Sequence, residues 1–173
     1  MYLGNQVVRY WKDGEFVVCK NFINQDKDEC LEHYFSLGYD NTDEDFVIAQ
    51  FNDLGFDYLV PDLKTMWYSD ALVQNGDRHE FNFGIITSDE QTRLAPLYDW
   101  NLSMVAFRYP ANYTRYEDPL IKVVKNLHVS PPFIVQEQDI RDVYKRLSGI
   151  LKIKSTEDEI VRFILSAQKL LEE

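Results

Sequence analysis

Residues 75–104 constrain the fold more than any other stretch, because within them a helix has to stop and the chain has to turn twice in quick succession. Pro61 suits a first helical position, and Leu63, Met66, Trp67, Asp70, Val73 and Gln74 trace a helix of about three to four turns that ends before Asn75-Gly76. Gly76 can adopt backbone angles that cost an L-residue, so it is expected to swing the chain into Asp77. Residues 83–86 have the composition of a short strand, 87–93 are polar and turn-like, and Leu94-Ala95-Pro96 reads as the returning strand. A hairpin of that size carries Asp99 back beside Asn82. A rigid helix aimed at a loop that runs into a hairpin calls for an α+β domain.

The polar residues of this segment match one kind of chemistry. Phosphoryl transfer from a nucleotide needs a carboxylate to orient the attacking hydroxyl, an amide oxygen to hold magnesium, and a second carboxylate to bridge metal and phosphates. Asp77, Asn82 and Asp99 supply those groups in that order, and the five-residue interval from Asp77 to Asn82 is that of the protein-kinase catalytic loop. Alone, Asp77-Arg78-His79 is an ordinary solvated triplet; the weight comes from three groups inside one helix-loop-hairpin context. His33, His79 and His128 have no metal-cluster spacing, so His79 reads as a hydrogen-bonding residue rather than a ligand.

Asn75, Asp77, His79, Asn82 and Phe83, followed across the hairpin by Ala95, Pro96 and Asp99, resemble the catalytic segment of the HipA-like kinases, with a weaker likeness to the phosphatidylinositol-kinase loop. The motif covers about a sixth of the chain. Members of that family are bacterial Ser/Thr kinases, often toxins of toxin-antitoxin pairs, with ATP bound between a small and a large lobe. The resemblance implies Asp77 as catalytic base, His79 as the residue that organises the catalytic loop, Asn82 and Asp99 as magnesium ligands, and Mg2+ and ATP as cofactors.

A complete kinase also needs a Gly-rich loop and a phosphate-pairing lysine. No Gly-rich loop precedes residue 16. Val17-Val18-Cys19-Lys20 superficially matches the lysine strand, which makes Lys20 the candidate nucleotide contact with Glu29 or Glu32 as its partner. The spacing to Asp77 is short for that role, and Cys19-Lys20-Asn21-Phe22 aligns better with the hinge between lobes. The chain is therefore expected to be a mostly helical kinase-like large lobe carrying one remaining hairpin of the small lobe, with the rest of that lobe supplied by a longer parent chain or a partner and a protein hydroxyl as substrate. The alternative is a kinase-derived interaction or regulatory module that transfers nothing, from a toxin-antitoxin or mobile genetic element.

Composition narrows the setting. A chain of 173 residues with 45% hydrophobic content can bury one sizeable core, so a single domain is expected. A formal net charge of -11 argues against direct nucleic-acid binding, and the best candidate basic patch, Lys122, Lys125, Arg141, Lys145, Arg146, Lys152 and Lys154, has carboxylates among and beside it. Cys19 and Cys30 lack zinc spacing and further partners, which fits a reducing, cytoplasmic setting. The amino terminus has no leader pattern, and no apolar run reaches the roughly 18 residues that span a bilayer.

The remaining elements follow from local signals. Residues 1–24 read as a hinge-side hairpin turned at Asp13-Gly14. Residues 25–104 hold the helices and the catalytic loop: Cys30, Leu31, Tyr34 and Phe35 recur as one helical face within residues 28–37, and Thr42 with Asp43, Glu44 and Asp45 opens another helix. Residues 105–173 begin as an irregular segment, in which Ser103 just before it and Tyr109, Tyr113, Thr114 and Tyr116 are phosphorylatable. They end in two helices, one from Gln136 with Ile140, Val143, Tyr144, Leu147, Ile150 and Leu151, the other opened by Ser155 or Thr156 with Glu159.

Overall fold

An Asp-Gly pair between β-prone runs makes the first element: β1 (Tyr10–Asp13) and β2 (Phe16–Cys19) pair antiparallel, with Asp13 opposite Phe16 and Gly14 at φ 58° in the turn. The computed structural model describes residues 7–100, 115, 118–149 and 153–173, and these form a mixed α+β chain. Among them, residues 7–63 and 78–100 form one compact unit, rich in strands, and the others form a second, helical unit.

The strand-rich unit is organised by a three-stranded antiparallel sheet, β3 (Cys30–His33), β4 (Gly84–Thr87) and β5 (Thr92–Leu94), with β4 in the centre. The β4–β5 hairpin is the one expected beyond Asn82. Its turn is closed by the Ser88 amide on the Gln91 carbonyl at 3.0 Å. The helix expected over residues 28–37 is not formed. A short 3-10 turn, Gln25–Lys27, ends at Asp28 in the left-handed region, β3 follows, and a second 3-10 turn, Tyr34–Leu37, ends at Gly38. The reason lies in β4: Ile85 and Ile86 are both buried, so both of its edges need backbone partners, and β3 supplies the second by pairing Leu31 with Ile86. Four apolar residues at this spacing suit a strand followed by a tight turn as well as a helix. Helix α1 (Glu44–Asp53) starts where the acidic run placed it, with Asp43 accepting from the Phe46 amide. Tyr34 stacks on Phe83 at 4.8 Å and on Phe51 at 6.3 Å, and these rings, with Val47 and Leu59, form the unit's core.

Helix α2 (Val60–Val73) enters the helical unit at Lys64. The segment before Gln136, read from sequence as irregular, contains a further helix, α3 (Pro119–Asn126), with Asp118 as N-cap and Pro119 in its first turn. Helix α4 (Glu137–Ser148) follows. Helix α5 (Glu157–Glu172) opens with a complete capping box, the Thr156 hydroxyl accepting from the Glu159 amide while the Glu159 carboxylate accepts from the Thr156 amide at 2.6 Å. Those hydrogen bonds, the backbone one foremost, hold the Glu159 carboxyl below its ordinary range. The phosphorylatable residues Ser103, Tyr109, Tyr113, Thr114 and Tyr116, and Ile150 and Leu151, lie outside the described residues.

Arg115, with a side chain 1% exposed, joins these helices. Its guanidinium donates to the carbonyls of Ala71 and Leu72 at the end of α2, to the Phe163 carbonyl of α5, and to Asp118, the cap of α3, at 3.0 Å. Its Cζ also lies 4.1 Å from the Phe163 ring centroid. Replacing Arg115 with Met leaves Asp118 as a buried charge without its counter-ion, and is expected to lower unfolding free energy by about 3–5 kcal/mol in a urea titration. Gly84→Ala is expected to break the β3–β4 pairing, because a Cβ there runs into the Glu32 carbonyl oxygen; loss of amide protection at Tyr34, whose amide donates to the Phe83 carbonyl across that pairing, is the measurement.

Candidate functional site

The site begins at the end of α2, where the last carbonyls need partners and the chain has to turn. Gln74, at φ 53°, takes the left-handed position, and the Asn75 amide reaches back to the Asp70 carbonyl at 2.9 Å, the long bond of a Schellman cap. This corrects the expectation for Gly76, which is not in the left-handed region. The turn is fixed one step further by the Asn75 side chain, whose amide nitrogen donates to Asp70 Oδ1 at 2.8 Å with both residues buried. Asp77, half-buried, is the last residue of this stretch of the helical unit.

His79, Asn82 and Asp99 belong to the strand-rich unit. His79 is exposed, and its Nδ1 accepts from the Phe81 amide at 3.2 Å while its carbonyl accepts from the Asn82 amide at 2.8 Å. The ring and backbone of one residue thus curl the loop that leads to Asn82. Asn82 is 4% exposed. Asp99, half-buried, sits at φ 52°, a conformation Asp tolerates better than most L-residues and one found disproportionately at functional sites.

What brings Asn82 and the approach to Asp99 together is a residue that sequence reading passed over. Arg78 Nη1 donates to the Asn82 carbonyl at 2.6 Å and to the Tyr98 carbonyl at 2.9 Å, so the two arms of the hairpin meet at one nitrogen. The guanidinium lies 5.3 Å from the Trp100 ring centroid. Tyr98 adds a second tie: its hydroxyl is 3.1 Å from the Phe81 carbonyl and 2.9 Å from His33 Nδ1, and its ring stacks on Phe22. The only sequence signal for Arg78 was its place between Asp77 and His79.

Lys20 stands apart from this arrangement. It is exposed directly after β2 and makes no hydrogen bond or ion pair among the described residues. Neither carboxylate suggested as its partner is engaged by it: Glu29 pairs with Arg93 at 3.1 Å, and Glu32 accepts from the Thr87 hydroxyl at 2.9 Å. The Asn24 amide, ahead of Arg93, holds the Glu29 carboxyl below its usual range. Cys19 and Cys30 are free, exposed thiols.

Asn82 and Asp99 offer an amide oxygen and a carboxylate, both hard oxygen donors. Magnesium at nucleotide sites takes one or two protein oxygens and completes its shell with phosphates and water, so a pair of this kind fits a metal that arrives with a nucleotide. Among the described residues no group of three or more His, Cys, Asp and Glu has the arrangement of a self-sufficient metal site. No helix of the described chain is long and apolar enough to cross a membrane. The chain matches no family model, no curated protein and no solved structure.

The loop rests on Tyr34, whose amide donates to the Phe83 carbonyl at 3.0 Å and whose hydroxyl is buried without a hydrogen-bond partner. Burial first, then the nearby Tyr39 and Asp40, push that hydroxyl up to about 12. The folded state therefore favours the neutral phenol, a contribution complete below the unfolded value near 10 and lost as pH climbs through about 12. Tyr34→Phe is expected to be neutral or stabilising at pH 7 and to move alkaline unfolding to higher pH, measured by urea titration and by circular dichroism against pH.

Proposed function

We propose that residues 75–99 form the catalytic and metal-binding segment of a HipA-like kinase large lobe, which transfers a phosphoryl group from Mg-ATP to a protein hydroxyl. The observation that carries this reading is the shared Arg78 nitrogen, which holds the backbone of Asn82 and the residue before Asp99 within one hydrogen bond each of the same atom. Two oxygen ligands separated by sixteen residues are useful to a metal only if something keeps their chain segments adjacent.

In this reading Asp77 orients the acceptor hydroxyl and takes its proton as the oxygen attacks. The amide oxygen of Asn82 and the carboxylate of Asp99 hold the magnesium ion, which when bound neutralises charge on the transferring phosphates. His79 keeps the loop curled through its bond to the Phe81 amide. The phosphate-covering loop and its lysine are a separate requirement, which Lys20 gives no sign of meeting. A second reading, an interaction or regulatory module derived from a kinase, draws on one surface feature: the tilted rings of Phe35 and Phe81 pack with centroids 4.6 Å apart beside the loop and are 48% and 44% exposed.

Calorimetric titration of Mg-ATP separates the two. The unaltered chain is expected to bind Mg-ATP more tightly than metal-free ATP. Asp99→Ala should lose that metal dependence, by about tenfold or more in affinity, and Asp77→Asn should keep binding and, in a transfer assay with a small lobe added back, lose transfer by about a hundredfold or more. Equal, negligible heats for all three proteins would leave the interaction module as the better account.

A further inference from the structure

We propose that Arg78 is the positioning residue of the metal pair, setting the separation of Asn82 and Asp99, a role that rests on the kinase reading of those two residues. The β4–β5 ladder reaches as far as the Ala95 amide, which donates to the Gly84 carbonyl at 2.9 Å. Asn82 lies two residues before that point and Asp99 four residues after it, so the ligands sit on chain beyond the regular strands. Arg78 extends the tie to that level, with bonds of 2.6 and 2.9 Å to the Asn82 and Tyr98 carbonyls.

The guanidinium is itself held. Its carbon lies 5.3 Å from the centroid of the Trp100 ring, and the indole nitrogen of that ring donates to the Leu97 carbonyl at 3.3 Å. The Trp100 ring is thus fixed to the returning arm and Arg78 is fixed against the ring. A planar group spanning two carbonyls imposes a distance; a flexible ammonium does so less well, because it is a point charge on a rotatable stem. Groups that orient metal ligands without touching the metal commonly govern metal affinity by about ten- to a hundredfold. Arg78 acts on the backbone of Asn82 and of the residue before Asp99 and leaves the ligands' identity unchanged.

The test is a magnesium titration at fixed ATP for the unaltered chain, Arg78→Lys and Arg78→Met, with thermal unfolding of each. Arg78→Met is expected to raise the magnesium concentration for half-maximal binding about tenfold, with affinity for metal-free ATP unchanged and Arg78→Lys intermediate. A purely structural role would move the melting temperature and weaken both forms of ATP alike. A folded Arg78→Met variant with an unaltered magnesium requirement overturns the role given to Arg78 and leaves the kinase reading standing. If that variant does not fold, Arg78→Lys decides: a magnesium requirement equal to that of the unaltered chain overturns the role. Absence of metal-dependent binding in the unaltered chain overturns the kinase reading and the role with it.

Discussion

Carbonyl groups stranded where a chain changes direction are satisfied in this protein by arginine, and both units are organised around that fact. At the end of α2 the last turn leaves carbonyls without intrahelical partners, and Arg115 covers two of them while pairing with the cap of α3 and bonding α5. Past the end of the β4–β5 ladder, Arg78 does the same for the carbonyls of Asn82 and Tyr98. A charged donor bonding a carbonyl is stronger than a neutral one, and a guanidinium has five donors in a fixed fork. One side chain can therefore fix several pieces of backbone that no regular ladder connects.

Where order comes from local chemistry, it was legible in the sequence. The Asp-Gly turn of the first hairpin, the acidic start of α1, the Thr156-Glu159 box of α5 and the hairpin beyond Asn82 all depend on residues within a few positions of one another. Where order comes from distant partners, it was not. Residues 30–35 become strand and turn because β4 needs a second edge partner more than fifty residues away, and nothing in Cys30-Leu31-Tyr34-Phe35 announces that. Helix α3 is a different case: the Asp118-Pro119 pair signals a helix start, but the prolines and aromatics around it dominated the reading. At the end of α2, glycine content pointed to Gly76, whereas hydrogen bonding from Asn75 to Asp70 draws Gln74 into the left-handed position.

The candidate site divides along the same line. The identities and spacing of Asp77, His79, Asn82 and Asp99 are sequence facts. That the Asn82 and Asp99 segments are kept adjacent is a three-dimensional one, and it depends on Arg78, Tyr98 and Trp100, none of which belongs to the spacing pattern. The carboxylates around the sheet are likewise assigned by the fold: Glu32 accepts from Thr87, tying β3 to β4 by side chain as well as backbone, and Glu29, just before β3, pairs with Arg93 of β5.

Gly84 gives the loop a means of error correction. It stands opposite His33 in the β3–β4 pairing, with no room for a side chain beside the Glu32 carbonyl. A one-residue slip of β4 in either direction would bring Phe83 or Ile85 to that spot, so a misaligned sheet meets a steric wall there. Because Asn82 lies only two residues upstream, the same wall that disfavours a misaligned sheet also determines where along the chain the Asn82 side chain emerges.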